Sequence, residues 1–180
     1  MSKVLVYAAM SLDGYIAGPD VSHDHPMGVD GARLHEWMFG EHVDPADRVI
    51  TKAVSADTGA VVLGRRTFDV GLAHWEDVPY PAPSFVVTHE TRPDLPQKSG
   101  TFAFVPGVEA AVERAKAVAG DRTVTVMGAD IQRQALAAGL VDEVLISLVP
   151  VLLGAGAKLF DGLPPMAFTG PVTHVRLGTA

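Results

Sequence analysis

The sequence predicts an α/β fold in three layers: a mostly parallel central sheet, helices on both faces, and antiparallel strands toward the C-terminus. Three observations carry this. From Lys3 to Ala138, short β-branched and apolar runs alternate with helix-patterned segments, which implies parallel strands joined by right-handed crossovers. Those runs are apolar at consecutive positions, as in strands covered on both faces. Beyond Ala138 the helical pattern stops, which places antiparallel strands at one edge. The 180 residues hold no repeat, low-complexity tract or linker that divides them, so the expectation is one domain over residues 1–180.

The elements follow in order. Lys3 to Met10 is a strand apolar on both faces, hence central. A loop rich in Gly, Pro, Asp and His runs to Gly31, and a loop of that length is functional or mobile. Ala32 to Phe39 reads as a short helix. Pro45 to Thr58 reads as another, started by Asp44 before Pro45 and stopped by Gly59. Ala60 to Leu63 is a strand, followed by Gly64 and a helix start. A proline-rich loop from Pro79 to Pro83 leads to strands at Ser84 to Thr88 and Phe102 to Val105. Val108 to Ala119 is an amphipathic helix ended by Gly120. Val124 to Met127 is a buried strand. Gly128 then turns the chain into a helix reaching Ala138, with Asp130 as its expected N-cap. Glu143 to Val151, Lys158 to Phe160 and His174 to Leu177 are the expected last strands.

Composition narrows the function. Hydrophobic residues make up 48% of the chain and charged ones 19%, as in a soluble globular protein. A net charge of −7 argues against nucleic acid, whose binders carry basic surfaces, but permits a small anion held by one or two arginines. With no cysteine, thiol catalysis and zinc–thiolate sites are excluded. The N-terminal apolar run is too short for a membrane span and lacks a cleavable signal pattern. No membrane partner and a cytoplasmic location are therefore expected.

In open α/β sheets ligands bind beyond the carboxyl ends of the strands. Glycine-marked turns lie there after Met10, Leu63 and Met127. A helix opening after Gly128 points unpaired N–H groups at the strand end, a site for a phosphate. Arg65 and Arg66 stand where a phosphate at the second turn needs a guanidinium fork, and Thr67 adds a hydroxyl and an N–H. Thr88 and His89 end the neighbouring strand. The GxGxxG and Walker patterns are absent. Asp13 fits two roles, a polar catalytic or substrate-binding group and an Asp-Gly turn residue bonding backbone. Trp37 and Trp75 fit either a pocket wall or the core. His23 and His25, with Asp20 and Asp24, match a metal cluster in composition only, so no metal is expected. Met10, Met27 and Met38 are packing residues.

Four motifs come in a telling order: Ala8-Ala9-Met-Ser-Leu-Asp13-Gly14-Tyr-Ile16-Ala17-Gly18, Val-Leu-Gly64-Arg-Arg-Thr67-Phe, Val-Met-Gly128-Ala-Asp, and Val-Pro-Val-Leu-Leu-Gly-Ala-Gly-Ala-Lys-Leu-Phe-Asp161. In this order the chain resembles the dihydrofolate reductase superfamily over nearly its whole length. The resemblance is greatest to the branch of the reductase domain of bacterial riboflavin biosynthesis, the RibD C-terminal domain. It implies a dihydrofolate-reductase-like fold and NADPH as cofactor. Ala9, Ile16 and Ala17 would line the nicotinamide. Gly64, Arg65, Arg66 and Thr67 would hold phosphates, with Arg65 or Arg66 reading the 2′-phosphate. Thr88 and His89 would flank the adenosine, and Gly128, Ala129, Asp130 and Ile131 would cover the pyrophosphate.

The expected partner is a small-molecule substrate, a heterocycle of pteridine or pyrimidine type or an imine or carbonyl compound, with Trp37 beside it and Asp13 or water supplying the proton. Reduction of a ribosylaminopyrimidine phosphate is one version. A protein that binds NADP(H) without turnover is the alternative. Three departures separate this chain from its models. Leu34 stands where dihydrofolate reductases carry a helix acid, with Asp30 and Glu36 out of register. Tyr15 and Met127 replace a lysine and a glutamate of the riboflavin reductases. Ala129 replaces the second glycine of a pair. The stretch after Asp161 leaves little room for an outer strand. The apolar, glycine-broken run from Val149 to Phe160 suggests a twofold homodimer.

Overall fold

The computed structural model describes residues 2–41, 43–78 and 80–178, so Pro79, at the start of the proline-rich loop, lies outside it. Nine strands and five α-helices are described. They are β1 (Val4–Ser11), β2 (Tyr15–Ala17), α1 (Glu36–Phe39), α2 (Pro45–Asp57), β3 (Thr58–Gly64), α3 (Arg65–Trp75), β4 (Ser84–Val87), β5 (Leu95–Pro96), β6 (Thr101–Val105), α4 (Val108–Ala119), β7 (Thr123–Met127), α5 (Ala129–Ala137), β8 (Glu143–Val149) and β9 (Ala157–Lys158). Seven strands form one sheet in the order β5-β6-β4-β3-β7-β1-β8, and β2 and β9 form a separate ribbon.

The alternation of side chains along β3 explains the three layers. Ala60 and Val62 point to one face, where they pack with Val4, Val6, Val124 and Val126 under Ala111, Val112 and Ala115 of α4 and Ile131, Ala135 and Leu136 of α5. Val61 and Leu63 point to the other, against Phe68 of α3 and Phe102. Phe68 meets Phe102 and Phe104 edge-on, with ring centroids 5.0 and 5.3 Å apart. Burying such a ring contributes about 2 kcal/mol, and Leu72 and Trp75 of α3 pack on the same cluster. A third cluster of Ala9, Leu34 and Val149, flanked by Trp37, lies at the β1 end.

Several expectations shift. The edge strand β8 runs parallel to β1, from Leu5↔Glu143 to Ser11↔Val149. The reason is α5: it carries the chain back to the start of the sheet, so the next strand must rise beside β1. The antiparallel pairs are β5 with β6 and the C-terminal β9 with β2. The helix expected at Ala32 to Phe39 is a 3-10 turn (Gly31–Leu34) followed by α1, broken at His35. Asp44 caps α2 as expected, accepting from Ala46 N at 2.8 Å. The stop of α2 is Thr58, whose hydroxyl donates to Val54 O at 2.8 Å, and Gly59 already lies in β3. Residues 171–178 form no strand at His174 to Leu177.

The long loop after β2 closes on itself. Gly18 N donates to Met27 O at 2.9 Å and Val29 N to Pro19 O at 2.8 Å. A Cβ on Gly18 would stand 1.9 Å from Val29 O, and one on Gly28 would stand 2.2 Å from Gly18 O, so only glycine lets the two ends touch. His74 Nε2 bonds the His23 carbonyl at 3.1 Å, joining the loop's crown to α3.

Candidate functional site

The sheet order creates a topological switch point. β3 and β7 are parallel neighbours, with Leu63 beside Met127. After β3 the chain leaves through α3 toward β4; after β7 it leaves through α5 over β1 toward β8. Adjacent strands whose connections part in opposite directions leave a crevice at their carboxyl ends, the usual ligand position in open α/β sheets. The N-termini of α3 and α5 flank it from opposite faces.

These two helix mouths touch. A Cβ on Gly128 would lie 2.6 Å from Thr67 Oγ1, and a Cβ on Gly64 would lie 2.9 Å from Ile131 Cγ1. Gly128 is the residue before α5, with φ +87°, and no side chain caps either helix. Asp130 is therefore not the N-cap that its position suggested. It lies in the first turn of α5, and its carboxylate accepts from Gln134 Nε2 at 2.8 Å. The positive φ at Gly128 starts the helix at Ala129, one residue before Asp130. Uncapped N–H groups at two converging helix ends are the donor set that a diphosphate takes.

The arginines divide. Arg65 Nε donates to Asp69 Oδ2 at 3.0 Å and its Nη1 donates to Glu90. Glu90 first and Asp69 second push the guanidinium pKa up. Arg66 is exposed and has no ion pair among the described residues. Gly64 pairs with Val87, which brings Thr88 beside the α3 mouth. Thr88 is buried, its Oγ1 accepts from Glu90 N at 3.2 Å, and His89 is exposed.

At the β1 end, Ala9 is buried beside Leu34 and Val149. Ile16 and Ala17 lie on β2, which packs against β1. Trp37 is half-buried there, its Nε1 donating to Leu34 O at 2.7 Å. Trp75 is elsewhere, stacked 6.3 Å from Phe102 in the α3 core. Asp13 is fully engaged. It accepts from Ser11 Oγ at 2.6 Å, from Leu153 N at 3.2 Å and from Gly154 N at 2.8 Å. The Ser11 hydroxyl, with the Gly154 and Leu153 amides behind it, draws its pKa down to about 2. Its carboxylate is thus taken up by Ser11 and by the amides of two residues distant in sequence, and it is ionised at neutral pH. His23, His25, Asp20 and Asp24 form no set of three metal donors among the described residues.

Three residues escaped the sequence reading. Glu90 directly follows Thr88-His89, and Arg92 comes after Thr91. Arg92 lies 4.5 Å over the Phe104 ring and 3.9 Å from Asp69. Gln132 is buried on the inner face of α5, and its Nε2 donates to Tyr7 O at 3.1 Å and Val126 O at 2.9 Å. β1 and β7 pair only up to Val6↔Val126. Gln132 thus bridges the strands where their ladder ends. A polar residue between Ile131 and Ala135 on an apolar helix face was the available signal.

Sheet order and paired helix mouths together define an α/β protein of dihydrofolate-reductase-like fold. The chain belongs to the RibD C-terminal domain family, whose model matches residues 2–178. It is 28% identical over 168 residues to the uncharacterized protein YwjB of Bacillus subtilis (strain 168), covering 89% of this chain and 84% of that one. A provisionally named riboflavin biosynthesis protein from Shewanella sp. PV-4 has a similar crystal structure, with TM-score 0.65 and 28% identity over 91% of this chain and 86% of that one. Dihydrofolate reductase from Enterococcus faecalis, complexed with NADP(H) and RAB-propyl, shares the fold at TM-score 0.51 and 17% identity, covering 87% of this chain and 76% of that one. Among the described residues no helix is long and apolar enough to cross a membrane.

Proposed function

We propose that this protein is an NADPH-dependent reductase acting on a small heterocycle of pteridine or pyrimidine type, or on an imine or carbonyl compound. The family match and the structural neighbours support a reductase-type role. The observation that carries the reading is the meeting of two uncapped helix mouths at the switch point between β3 and β7, with arginines on one rim. In this reading Gly64, Thr67 and Gly128 to Ile131 hold the diphosphate through backbone N–H groups and one hydroxyl. Arg66, which pairs with no carboxylate among the described residues, and Arg65 meet the 2′-phosphate. Thr88 and His89 border the adenosine. Ala9, Ile16 and Ala17 form the apolar floor under the nicotinamide, and Trp37 walls the substrate side.

NADPH, when bound, supplies the hydride; the chain's part is to orient the two reactants and keep water from the transfer. Asp13 serves as a positioning residue: its carboxylate ties the turn after β1 to Leu153 and Gly154. The proton then comes from water. Titration of purified protein with NADPH and NADH, followed by nicotinamide fluorescence, tests the reading. Tighter binding of NADPH supports it; equal or absent binding of the two overturns it.

A second reading, NADP(H) binding without turnover, draws on Leu34. At the position of the helix acid, Leu34 is fully buried in an apolar cluster, and Asp13 is held by the Ser11 hydroxyl and the Leu153 and Gly154 amides. NADPH binding with no oxidation across pterins, pyrimidines and quinones would favour it. Rescue of a riboflavin auxotroph would instead identify the substrate as a ribosylaminopyrimidine phosphate.

A further inference from the structure

The rim of the α3 mouth holds carboxylates as well as arginines, and one carboxylate is placed differently from the other. Asp69 belongs to α3, one turn beyond Arg65, and also faces Arg92 at 3.9 Å. Glu90 comes from the segment after β4. Its backbone N–H bonds Thr88 Oγ1, and its carboxylate is fastened only through Arg65 among the described residues. A guanidinium fork accepts carboxylate and phosphate in the same geometry, so the two anions compete for the same N–H groups.

We propose that Glu90 is a specificity gate: its carboxylate fills the anion position on Arg65 and must swing aside before the 2′-phosphate of a dinucleotide can take it. This rests on the dinucleotide reading above. The side chains of Arg65 and Glu90 are 43% and 53% exposed, so the pair is weak and opens readily. Once displaced, the carboxylate remains near and repels the phosphate. The gate therefore lowers affinity for the 2′-phosphorylated nucleotide and leaves the unphosphorylated one alone.

The test titrates the whole protein, wild type and Glu90→Gln, with NADPH, NADH, 2′,5′-ADP and 5′-AMP. Glu90→Gln should tighten NADPH and 2′,5′-ADP about fivefold at low salt, as loss of an exposed competing pair allows. NADH and 5′-AMP should stay within about twofold, and the gain should fade near 0.5 M salt, roughly, as screening grows. Adding Arg65→Ala should abolish the gain. Unchanged or weakened NADPH binding in Glu90→Gln overturns the gate, as does an equal change for NADH. If neither protein binds any of the four nucleotides, the dinucleotide reading itself falls and the gate with it. If wild type prefers NADPH and Glu90→Gln binds it no more tightly, the gate alone falls.

Discussion

Gly128 faces Thr67 so closely that a β-carbon on Gly128 would stand 2.6 Å from the threonine hydroxyl oxygen. The first turn of α3 and the turn before α5 are thus in direct contact, although they lie on opposite faces of the sheet. Space at this point is fixed by the absence of one methyl group.

Gly128→Ala should therefore destabilise the protein by about 2 kcal/mol, from a backbone conformation reserved for glycine and the contact with Thr67. Thr67→Ala in the same chain should recover only the contact part. Urea unfolding of the single and double variants checks this, and an unmoved midpoint for Gly128→Ala would contradict it.

Gln132→Leu strands the Tyr7 and Val126 carbonyls without their side-chain donor. Its unpartnered Oε1 disappears too, which offsets part of the cost. The expected net loss is about 2 kcal/mol, or about 6 °C in Tm for a chain of this size. Differential scanning calorimetry reads it directly, and a Tm at or above wild type would show that the bridge is not stabilising.

Asp13 makes stability depend on acid in one window. Its folded pKa of about 2 lies below the unfolded value near ~3.9, so its contribution is complete above the unfolded value and disappears as pH falls through about 2. The stability difference between wild type and Asp13→Asn should be constant from about pH 5 to 8 and shrink below about pH 4. Urea unfolding across that range measures it. A difference that varies between pH 5 and 8 would point to another group.

We also propose the twofold homodimer that the Val149-to-Phe160 run suggests. Val149 and Leu159 are spent on the chain's own core, while Leu152 is 66% exposed and Phe160 is also exposed. Wild type should sediment as a dimer at micromolar concentration and Leu152→Asp as a monomer. A monomeric wild type contradicts the proposal.

The strand–glycine–helix units around Gly64 and Gly128 were legible because every feature that makes them is local: β-branched runs, a glycine, an amphipathic start. Their meeting was not written in either segment, since it depends on β7 inserting between β3 and β1. Asp13 was visible as a polar residue in the right turn, but its partners Leu153 and Gly154 are about 140 positions away. Arg65 stood out as a phosphate ligand, but its pairing with Glu90 was not legible because Glu90 approaches from the next strand's end. The strand expected at His174 to Leu177 had a suitable pattern, yet a strand needs a neighbour's edge as well as a pattern. Among the described residues that segment has none.

The pinch between Gly18 and Gly28 separates the loop's root from its crown. Because the root is locked by its own backbone, through Pro19 and Met27, residues 20–26 can change chemistry without disturbing β1 or the ribbon beside it. Replacing that crown should consequently leave the frame intact and give up the bond between His74 and the His23 carbonyl.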